Sequence, residues 1–285
     1  MAGCDSPKRP LDLLALQKSP SHPQSPPMEP PYPSLPNRLW DLPLLSAGVS
    51  GVVLEVSDSA VVKAPCGEEN RPALQIERAI YARLGPHPLI TKLLYVQEDM
   101  LVLERLQYPL RKRLWDFRHI GEIPPPEDIL RWALQLTQAL YYVHSCGVLQ
   151  VDISAGNALL DQDDNIKLSD FAGSSIDGSI PTVYPSTHSQ NPNLPSMKPS
   201  LQSEIFALGS MIYEVETTLQ PYHDKSDSEI IKLFAVGDFP DTSTLMLGNV
   251  ITSCWRSKYK DVRGPMADIM LIRKGRIPTQ SWKKR

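Results

Sequence analysis

The apolar residues of this chain follow two different periods, and the period changes near residue 106. Before that point, short runs rich in Val, Leu and Ile alternate with polar turns, a pattern typical of strands. In one interval the apolar residues instead recur every three or four positions, which predicts a helix. The predicted strands are residues 52–56, 60–63, 93–96 and 100–103, and the predicted helix is residues 71–84.

After residue 106 the helical period dominates. From Ile129 to Val143 the apolar residues form one continuous stripe, and Gly147 stands where a left-handed helix cap belongs. A β-rich half followed by a helical half predicts two lobes with a cleft between them. Further helices are predicted at residues 205–215, 230–234 and 245–255, and short strands at 158–160 and 166–168.

Both ends of the chain differ in composition from its middle. Residues 1–40 are dense in proline and serine. Because proline lacks the amide hydrogen that helices and sheets need, we expect an extended or disordered leader there. Its proline tract is either a ligand for a polyproline-binding partner or a leader without a partner. Residues 273–285 are basic, which predicts a solvated end or a contact with an acidic partner.

Composition and charge exclude several classes of protein. The 285 residues carry a net charge of −3, which is too small to indicate a nucleic-acid partner. No stretch approaches the roughly 20 apolar residues that span a bilayer, so no membrane segment is expected. The four cysteines lie far apart without a C-x-x-C pair, which indicates neither a disulfide framework nor a zinc site. We therefore expect a cytoplasmic or nuclear protein.

The most informative polar residues lie around the short strands of the second half. Asp152 is followed five positions later by Asn157, and Asp170 comes thirteen positions after that. One carboxylate of such a set can accept a hydroxyl proton, while the other oxygens suit a magnesium ion on the phosphates of a nucleotide. The alternative is that these residues only form turns, in which Asp and Asn are common.

A second group of polar positions lies in the first half. Gly48 and Gly51 precede a strand, and glycine lets backbone amides approach phosphate oxygens closely. Lys63 ends the next strand, and Glu77 lies on the predicted helix after it. Opposite charges on separate elements of a cleft can hold each other in a fixed geometry. The alternatives are a plain hairpin and a strand-end lysine that faces water.

Taken in order, these residues resemble the signature motifs of protein kinases. The resemblance covers residues 44–272. Within the family, the strings E-R-A-I-Y, V-D-I-S and D-F-A-G-S-S look most like divergent kinase-like proteins of filamentous fungi. The matched motifs are G-x-G-x-x-G-x-V at residues 46–53, in which Ser46 replaces the first glycine, V-A-I-K at Lys63, the helix glutamate at Glu77, and D-x-x-x-x-N and D-F-G at Asp152, Asn157 and Asp170.

This resemblance implies an α+β, bilobal protein-kinase-like fold, with a small β-rich N-lobe at residues 41–106 and a larger helical C-lobe at residues 107–272. It also implies ATP and Mg²⁺ as cofactors and a protein as substrate. The implied roles are nucleotide positioning by Lys63 and Glu77, phosphate contact by Gly48 and Gly51, adenine binding by backbone groups of Glu104 and Leu106, proton acceptance by Asp152, and Mg²⁺ binding by Asn157 and Asp170.

Several positions depart from the family pattern. Gln150 and Val151 stand where the family has His-Arg, so the imidazole and the arginine that binds a phosphorylated activation loop are both missing. Ser154 replaces a lysine that stabilises the transferring phosphoryl group, and Gly156 leaves the alternative basic position empty as well. Ala172 stands between the Phe and the Gly of D-F-G.

Two further departures lie downstream. Glu204 takes the place of an aspartate that ties down the catalytic loop. Asn193 replaces a glutamate that would pair with an arginine such as Arg263. The peptide-docking surface is therefore expected to differ from that of the family.

We predict from these residues an ATP-dependent protein kinase that transfers the γ-phosphoryl group to serine or threonine hydroxyls of a protein. One alternative is a pseudokinase, which keeps the fold and acts as a nucleotide-binding scaffold. A more distant alternative is a small-molecule kinase of aminoglycoside or choline type, which uses a related catalytic loop.

Overall fold

The computed structural model describes residues 32–275. The expected leader up to residue 31 and the tail from residue 276 lie outside the described residues, and so does the proline tract. All elements described below belong to one compact unit, Leu35–Arg285. The described end of the leader contains a short 3-10 helix at Leu39–Asp41.

The first half of this unit forms an antiparallel sheet of five strands, in the order β1-β2-β3-β5-β4. Its strands are rich in β-branched and leucine side chains, which fit a pleated surface packed on one or both faces. Val53 pairs with Lys63, and Lys63 in turn pairs with Leu101, so the lysine lies on a strand with neighbours on both sides. The strands are β1 (Leu44–Gly48), β2 (Gly51–Ser57), β3 (Ala60–Ala64), β4 (Leu93–Gln97) and β5 (Met100–Glu104).

The β1–β2 hairpin requires glycine at one position. Gly48 pairs with Gly51 across the turn. Gly51 has a φ of +134°, and a Cβ atom added there would lie 2.3 Å from the carbonyl oxygen of Ala64. Only glycine can occupy that position without displacing β3, whereas Gly48 has open space around it.

Helices make up most of the remaining structure. The apolar stripe of α3 is buried from Ile129 to Val143. Helix α4 is buried on nearly all sides and begins at Ser200, whose side chain accepts a hydrogen bond from the amide of Ser203. The helices are α1 (Arg71–Leu84), α2 (Leu110–His119), α3 (Pro126–Ser145), α4 (Leu201–Thr217), α5 (Asp227–Ala235), α6 (Gly248–Trp255) and α7 (Arg263–Arg273).

Short strands position the loops between these helices. Residues 89–91 and Leu168 join the two halves through backbone hydrogen bonds, from Thr91 N–H to the Leu168 carbonyl at 2.9 Å and from Leu168 N–H to the Leu89 carbonyl at 2.8 Å. The strands are β6 (Tyr108–Pro109), β7 (Val148–Leu149), β8 (Ala158–Leu160), β9 (Ile166–Leu168) and β10 (Ser175–Ile176), arranged as sheets β6-β8-β9 and β10-β7.

The expected α+β architecture is confirmed, with a β-sheet part before a helical part. Sequence periodicity did not predict α2 or α7, because each buries only two or three side chains, too few to give a clear apolar period. Helix α6 begins three residues later than predicted, at Gly248. Among the described helices, none combines the length and apolar character needed to cross a bilayer.

A buried carboxyl group fixes the turn that leads into α6. Glu216 on α4 accepts the backbone N–H of Met246 and, at 3.0 Å, that of Leu247. Burial raises the pKa of Glu216 to about 7, and the two backbone hydrogen bonds only partly oppose that shift.

Helix α5 offers a matched test of packing. Ile230 is fully buried, whereas the adjacent Ile231 is 45 % exposed. We expect Ile230→Ala to lower the free energy of unfolding by about 2–5 kcal/mol, because the cavity it leaves is only partly filled. Ile231→Ala, the control, should change it by less than about 0.5 kcal/mol. Urea unfolding measures both, and equal effects would contradict the packing described here.

Glu216 should give the stability of the fold a pH dependence of definite sign. Between the ordinary pKa of 4.5 and the raised pKa of about 7, the folded chain keeps a proton that the unfolded chain releases. The free energy of unfolding therefore falls as the pH rises through this window, by roughly 3 kcal/mol in all.

We expect Glu216→Gln to remove that contribution, so that the stability of the variant relative to wild type increases between about pH 4.5 and pH 7. Urea unfolding at several pH values measures the difference. A difference that stays constant over that window would show that Glu216 does not titrate as described.

Candidate functional site

Lys63 is the centre of the candidate site. Its Nζ lies 2.6 Å from Oε2 of Glu77 on α1 and 2.8 Å from Oδ1 of Asp170 in the loop after β9. The Lys63 and Glu77 side chains are almost fully buried, whereas the Asp170 side chain is 44 % exposed. The structure therefore brings together three residues that the sequence separates by up to 107 positions.

The charges around Lys63 hold it in the protonated state. Burial lowers the pKa of the ammonium group, but the negative charges of Glu77 and Asp170 outweigh burial and raise that pKa above its ordinary value. A cation with two carboxylate partners keeps its charge when one carboxylate turns toward another ligand.

Glu77 also fixes the segment that carries Asp170. Its Oε1 accepts the backbone N–H of Phe171 at 3.2 Å. The Phe171 ring is buried and meets the ring of Tyr81 edge to face, with centroids 5.4 Å apart. Helix α1 therefore contacts the Asp-Phe turn through both a hydrogen bond and a packed aromatic pair.

Gln150 holds the same turn from the opposite side. Its Nε2 donates to the carbonyl oxygens of Ser169 at 3.0 Å and Asp170 at 2.9 Å. Asp170 has a φ of +57°, a left-handed conformation that needs such support. Gln150 therefore holds the backbone of this turn with its side-chain amide, from the position at which the family has a histidine.

Glu204 ties down the loop between β7 and β8. Its two carboxylate oxygens accept the amides of Gln150 at 2.9 Å and Val151 at 2.8 Å, and the first oxygen also lies 3.2 Å from Nε2 of His144. Val151 has a φ of +69°, which is unusual for a β-branched residue. The buried carboxylate thus stabilises a strained backbone at the start of the loop.

Asp152 and Asn157 form the second part of the site. Nδ2 of Asn157 donates to Oδ2 of Asp152 at 2.8 Å and to its carbonyl oxygen at 3.0 Å. Burial raises the pKa of Asp152, the Asn157 hydrogen bond opposes the shift, and the charge of Asp170 adds to it. The hydrogen bond from Asn157 thus holds the Asp152 carboxylate in one orientation.

In the connector after β5, the backbone N–H of Leu106 has no hydrogen-bond partner among the described residues, whereas those around it do. The N–H groups of Glu104, Arg105 and Gln107 donate to backbone carbonyls, each at 2.9 Å. Within the described residues, no hydrogen bond uses the N–H of Leu106. The Glu104 carboxylate pairs with Nζ of Lys167 at 2.7 Å, so the side chain is engaged while the backbone of Leu106 can meet a ligand.

The β1–β2 hairpin with Gly48 and Gly51 is tied to the entrance of α1. Nδ2 of Asn70 donates to the carbonyl oxygen of Val49 in the hairpin turn at 2.7 Å. This contact fixes the turn relative to the helix that carries Glu77. The role of the two glycines in phosphate contact stays a prediction.

The oxygen donors present suit magnesium. Asp170 offers a partly exposed carboxylate and Asn157 an amide oxygen, both hard ligands. Within residues 32–275 no group of three or more His, Cys, Asp or Glu side chains could hold a metal without other ligands. Magnesium is commonly bound through one or two carboxylates plus substrate phosphates, so these residues fit an ion that arrives with a nucleotide.

One expected pairing has been replaced. Arg263 pairs with Asp261, at 2.6 Å between Nη2 and Oδ2, and Asn193 instead donates to the carbonyl of Ala235 at the end of α5, at 3.1 Å. A short-range carboxylate satisfies the arginine, so no distant glutamate is needed.

Sequence reasoning missed an ion pair that links α1 to β10. Arg83 donates to both carboxylate oxygens of Asp177, at 3.0 and 2.9 Å, and to the carbonyl of Cys146 at 3.2 Å. Gly147 has a φ of +75°, and a Cβ atom there would lie 2.7 Å from Oδ1 of Asp177. No sequence pattern signals this pair, because the two residues are 94 positions apart.

Arg111 at the start of α2 is a second residue that the motifs did not reveal. Its guanidinium binds the carboxylate of Glu214 through two hydrogen bonds, at 2.9 and 3.1 Å. The charge of Arg111 also acts on Asp152. The sequence contained only an indirect signal for Arg111. The catalytic loop lacks the basic residue that the motif normally contains, which indicates that a cation from another element could take its place.

Comparison with known proteins identifies the family of this chain. The protein kinase domain family matches residues 55–245, about two thirds of the chain. The chain therefore belongs to the protein kinase family. The matched interval contains Lys63 and Glu77 as well as Asp152, Asn157 and Asp170.

Curated relatives are similar at low identity. A probable serine/threonine-protein kinase of Dictyostelium discoideum is 29 % identical over 140 residues, covering 47 % of this chain and 10 % of that protein. Serine/threonine-protein kinase PLK4 of Nematostella vectensis is 25 % identical over 222 residues, covering 74 % of this chain and 22 % of that protein. CBL-interacting serine/threonine-protein kinase 2 of Arabidopsis thaliana is 27 % identical over 177 residues, covering 58 % of this chain and 38 % of that protein. The chain thus spans less than half the length of these relatives.

The amide of Gln150 can be tested by replacement. We expect Gln150→Leu to lower the free energy of unfolding by about 1–3 kcal/mol, because two carbonyl oxygens in a closely packed turn lose their donor. Gln150→His is the conservative control, since a ring N–H can still donate, and it should be less destabilising. Urea unfolding measures both variants, and a leucine variant as stable as wild type would contradict the role given to this amide.

Proposed function

We propose that this chain is an active ATP-dependent protein kinase that transfers the γ-phosphoryl group to serine or threonine hydroxyls of a protein substrate. The observation that carries the proposal is the double ion pair of Lys63 with Glu77 and Asp170. Such a pairing is part of the arrangement that positions ATP for transfer.

The chemical roles follow from the positions of the side chains. Lys63, oriented by Glu77, would contact the α and β phosphates. Asp152 would accept the proton of the substrate hydroxyl while that oxygen forms a bond to the γ phosphorus and the bond to the β-phosphate oxygen breaks, releasing ADP. Asn157 and Asp170 would hold Mg²⁺, which neutralises charge on the phosphates when bound.

The raised pKa of Asp152 suits proton acceptance. A carboxylate accepts a proton more readily as its pKa approaches the operating pH, and burial moves Asp152 in that direction. Asn157 orients the carboxylate through its hydrogen bond to Oδ2. The N–H of Leu106, which has no hydrogen-bond partner among the described residues, would bind adenine in the same complex.

The finer assignments rest on separate observations. The printed names of the relatives support serine or threonine as the acceptor. The dispersed cysteines, of which Cys66, Cys146 and Cys254 are free in the described residues, support a cytoplasmic or nuclear location. A polyproline-binding partner of the leader remains a proposal from composition alone.

A pseudokinase is the second candidate, and one observation favours it. Ser154 stands in the catalytic loop where the family has a lysine, and losing such a group costs about 10²–10³ in rate. A pseudokinase would bind Mg-ATP without transferring the phosphoryl group. A small-molecule kinase would transfer it to a small acceptor in place of a protein.

Phosphoryl transfer tests the proposal. Purified protein with labelled ATP and magnesium should label a general protein substrate or itself, and Asp152→Asn should reduce the rate by about 10²–10⁴ because the proton acceptor is lost. Asp163→Asn is the matched control, since Asp163 lies exposed in the turn between β8 and β9 and should keep the wild-type rate.

Equal labelling by wild type and Asp152→Asn would reject the enzyme assignment. Retention of a magnesium-dependent nucleotide thermal shift in that case would favour the pseudokinase, and Asp170→Ala should abolish the shift because it removes a metal ligand. Labelling of small alcohols but not of proteins would favour the small-molecule kinase.

A further inference from the structure

The catalytic loop of this chain contains no positive charge of its own. Ser154 and Gly156 occupy the two loop positions at which protein kinases carry a basic residue. Mg²⁺ and Lys63 would supply part of the positive charge that stabilises the transferring phosphoryl group, but losing a further electrostatic group costs about 10²–10³ in rate. A cation from another element would compensate for the charge that this loop lacks.

Arg111 approaches the loop from α2. Its backbone N–H donates to the carbonyl of Ala155 at 2.9 Å, which fixes the start of α2 against the loop. Its Nε and Nη2 bind the two carboxylate oxygens of Glu214, at 2.9 and 3.1 Å. The Glu214 side chain is 7 % exposed, so it holds the guanidinium in one orientation.

Nη1, the third nitrogen of the guanidinium, lies near positions 154 and 156, where this chain has no basic residue. Nη1 of Arg111 lies 3.5 Å from the point where a Cβ atom of residue 156 would stand, and Oγ of Ser154 lies 3.4 Å from the same point. Glycine at 156 leaves this space open, and serine at 154 is short enough to share it. Nη1 is thus adjacent to both positions at which a basic side chain is absent.

The electrostatics of the loop agree with this geometry. Burial lowers the pKa of Arg111, but the hydrogen bonds and charge of Glu214 and the charge of Asp152 outweigh it and raise that pKa. The guanidinium keeps its proton at any pH at which the protein is folded. The Arg111 side chain is 44 % exposed, so the guanidinium is accessible from solvent.

We propose that Arg111 supplies the positive charge that stabilises the transferring phosphoryl group, in place of a basic residue in the catalytic loop. This proposal rests on the proposed kinase activity. Nη1 donates to an oxygen of the phosphoryl group, Glu214 keeps the fork oriented, and Arg111 retains all its protons throughout. The proton of the substrate hydroxyl still goes to Asp152.

The test separates charge from folding. Arg111→Met alone would leave the Glu214 carboxylate buried without its partner, so Glu214→Gln is introduced with it. We expect this double variant to lower kcat by about 10²–10³ while KM for ATP changes by less than about threefold, because the contact is made mainly in the transition state. Adding Ser154→Lys should restore most of the lost rate.

A matched control lies on the same helix. Lys112 and Asp116 form an exposed ion pair at 2.9 Å. The variant Lys112→Met with Asp116→Asn makes the same change in charge and should keep the wild-type kcat. Urea unfolding of every variant verifies that each one is folded.

A second measurement does not depend on turnover. Aluminium fluoride with ADP and magnesium resembles the transferring phosphoryl group, so it should increase the affinity of the wild-type protein for ADP. The Arg111→Met/Glu214→Gln variant should lose this increase and keep the affinity for ADP alone, and Ser154→Lys should return it.

The outcomes distinguish the two proposals. If wild type transfers label above the level of Asp152→Asn but the double variant keeps its kcat within about threefold, the role of Arg111 is rejected and the kinase activity stands. A folded triple variant with Ser154→Lys that recovers neither kcat nor the fluoride-dependent affinity also rejects it. A wild-type protein with neither transfer nor a fluoride effect rejects both.

Discussion

The site depends on one buried cation that is shared by two lobes. Lys63 comes from a strand of the sheet, Glu77 from the helix beside it, and Asp170 from a loop of the helical part. A buried ammonium without partners would be strongly unfavourable, so the three elements must stay in register for the fold to be stable. The same requirement would keep the proposed nucleotide site in one geometry.

The helical part holds its half of the site through buried polar side chains. Glu204 accepts two consecutive amides at the start of the catalytic loop, and Gln150 donates to two consecutive carbonyls of the Asp-Phe turn. Both residues depart from the family motif, yet each satisfies the backbone groups at its position. At both positions the hydrogen-bonding groups of the side chain are what the backbone requires, and a residue other than the family's can supply them.

Loss of positive charge is the feature that distinguishes this catalytic loop. The loop lacks a basic residue at both usual positions, and Val151 cannot bind a phosphorylated activation segment. Two arginines from helices approach the regions concerned, Arg83 at the activation segment and Arg111 at the catalytic loop. Arg83 is bound to Asp177, and Arg111 is the residue proposed to replace the missing charge of the loop.

The sequence alone predicted the α+β architecture, the family, and most of the strands and helices in their order. Strand and helix periods located β2 to β5, α1, α3 and α4, and motif spacing located Lys63, Asp152 and Asp170. Periodicity failed for α2 and α7, because each buries few side chains. Tertiary structure alone decided the pairings of Arg111 with Glu214 and of Arg83 with Asp177. Each pairing joins residues about a hundred positions apart and follows from the way the elements pack, and such packing leaves no period or motif in the sequence.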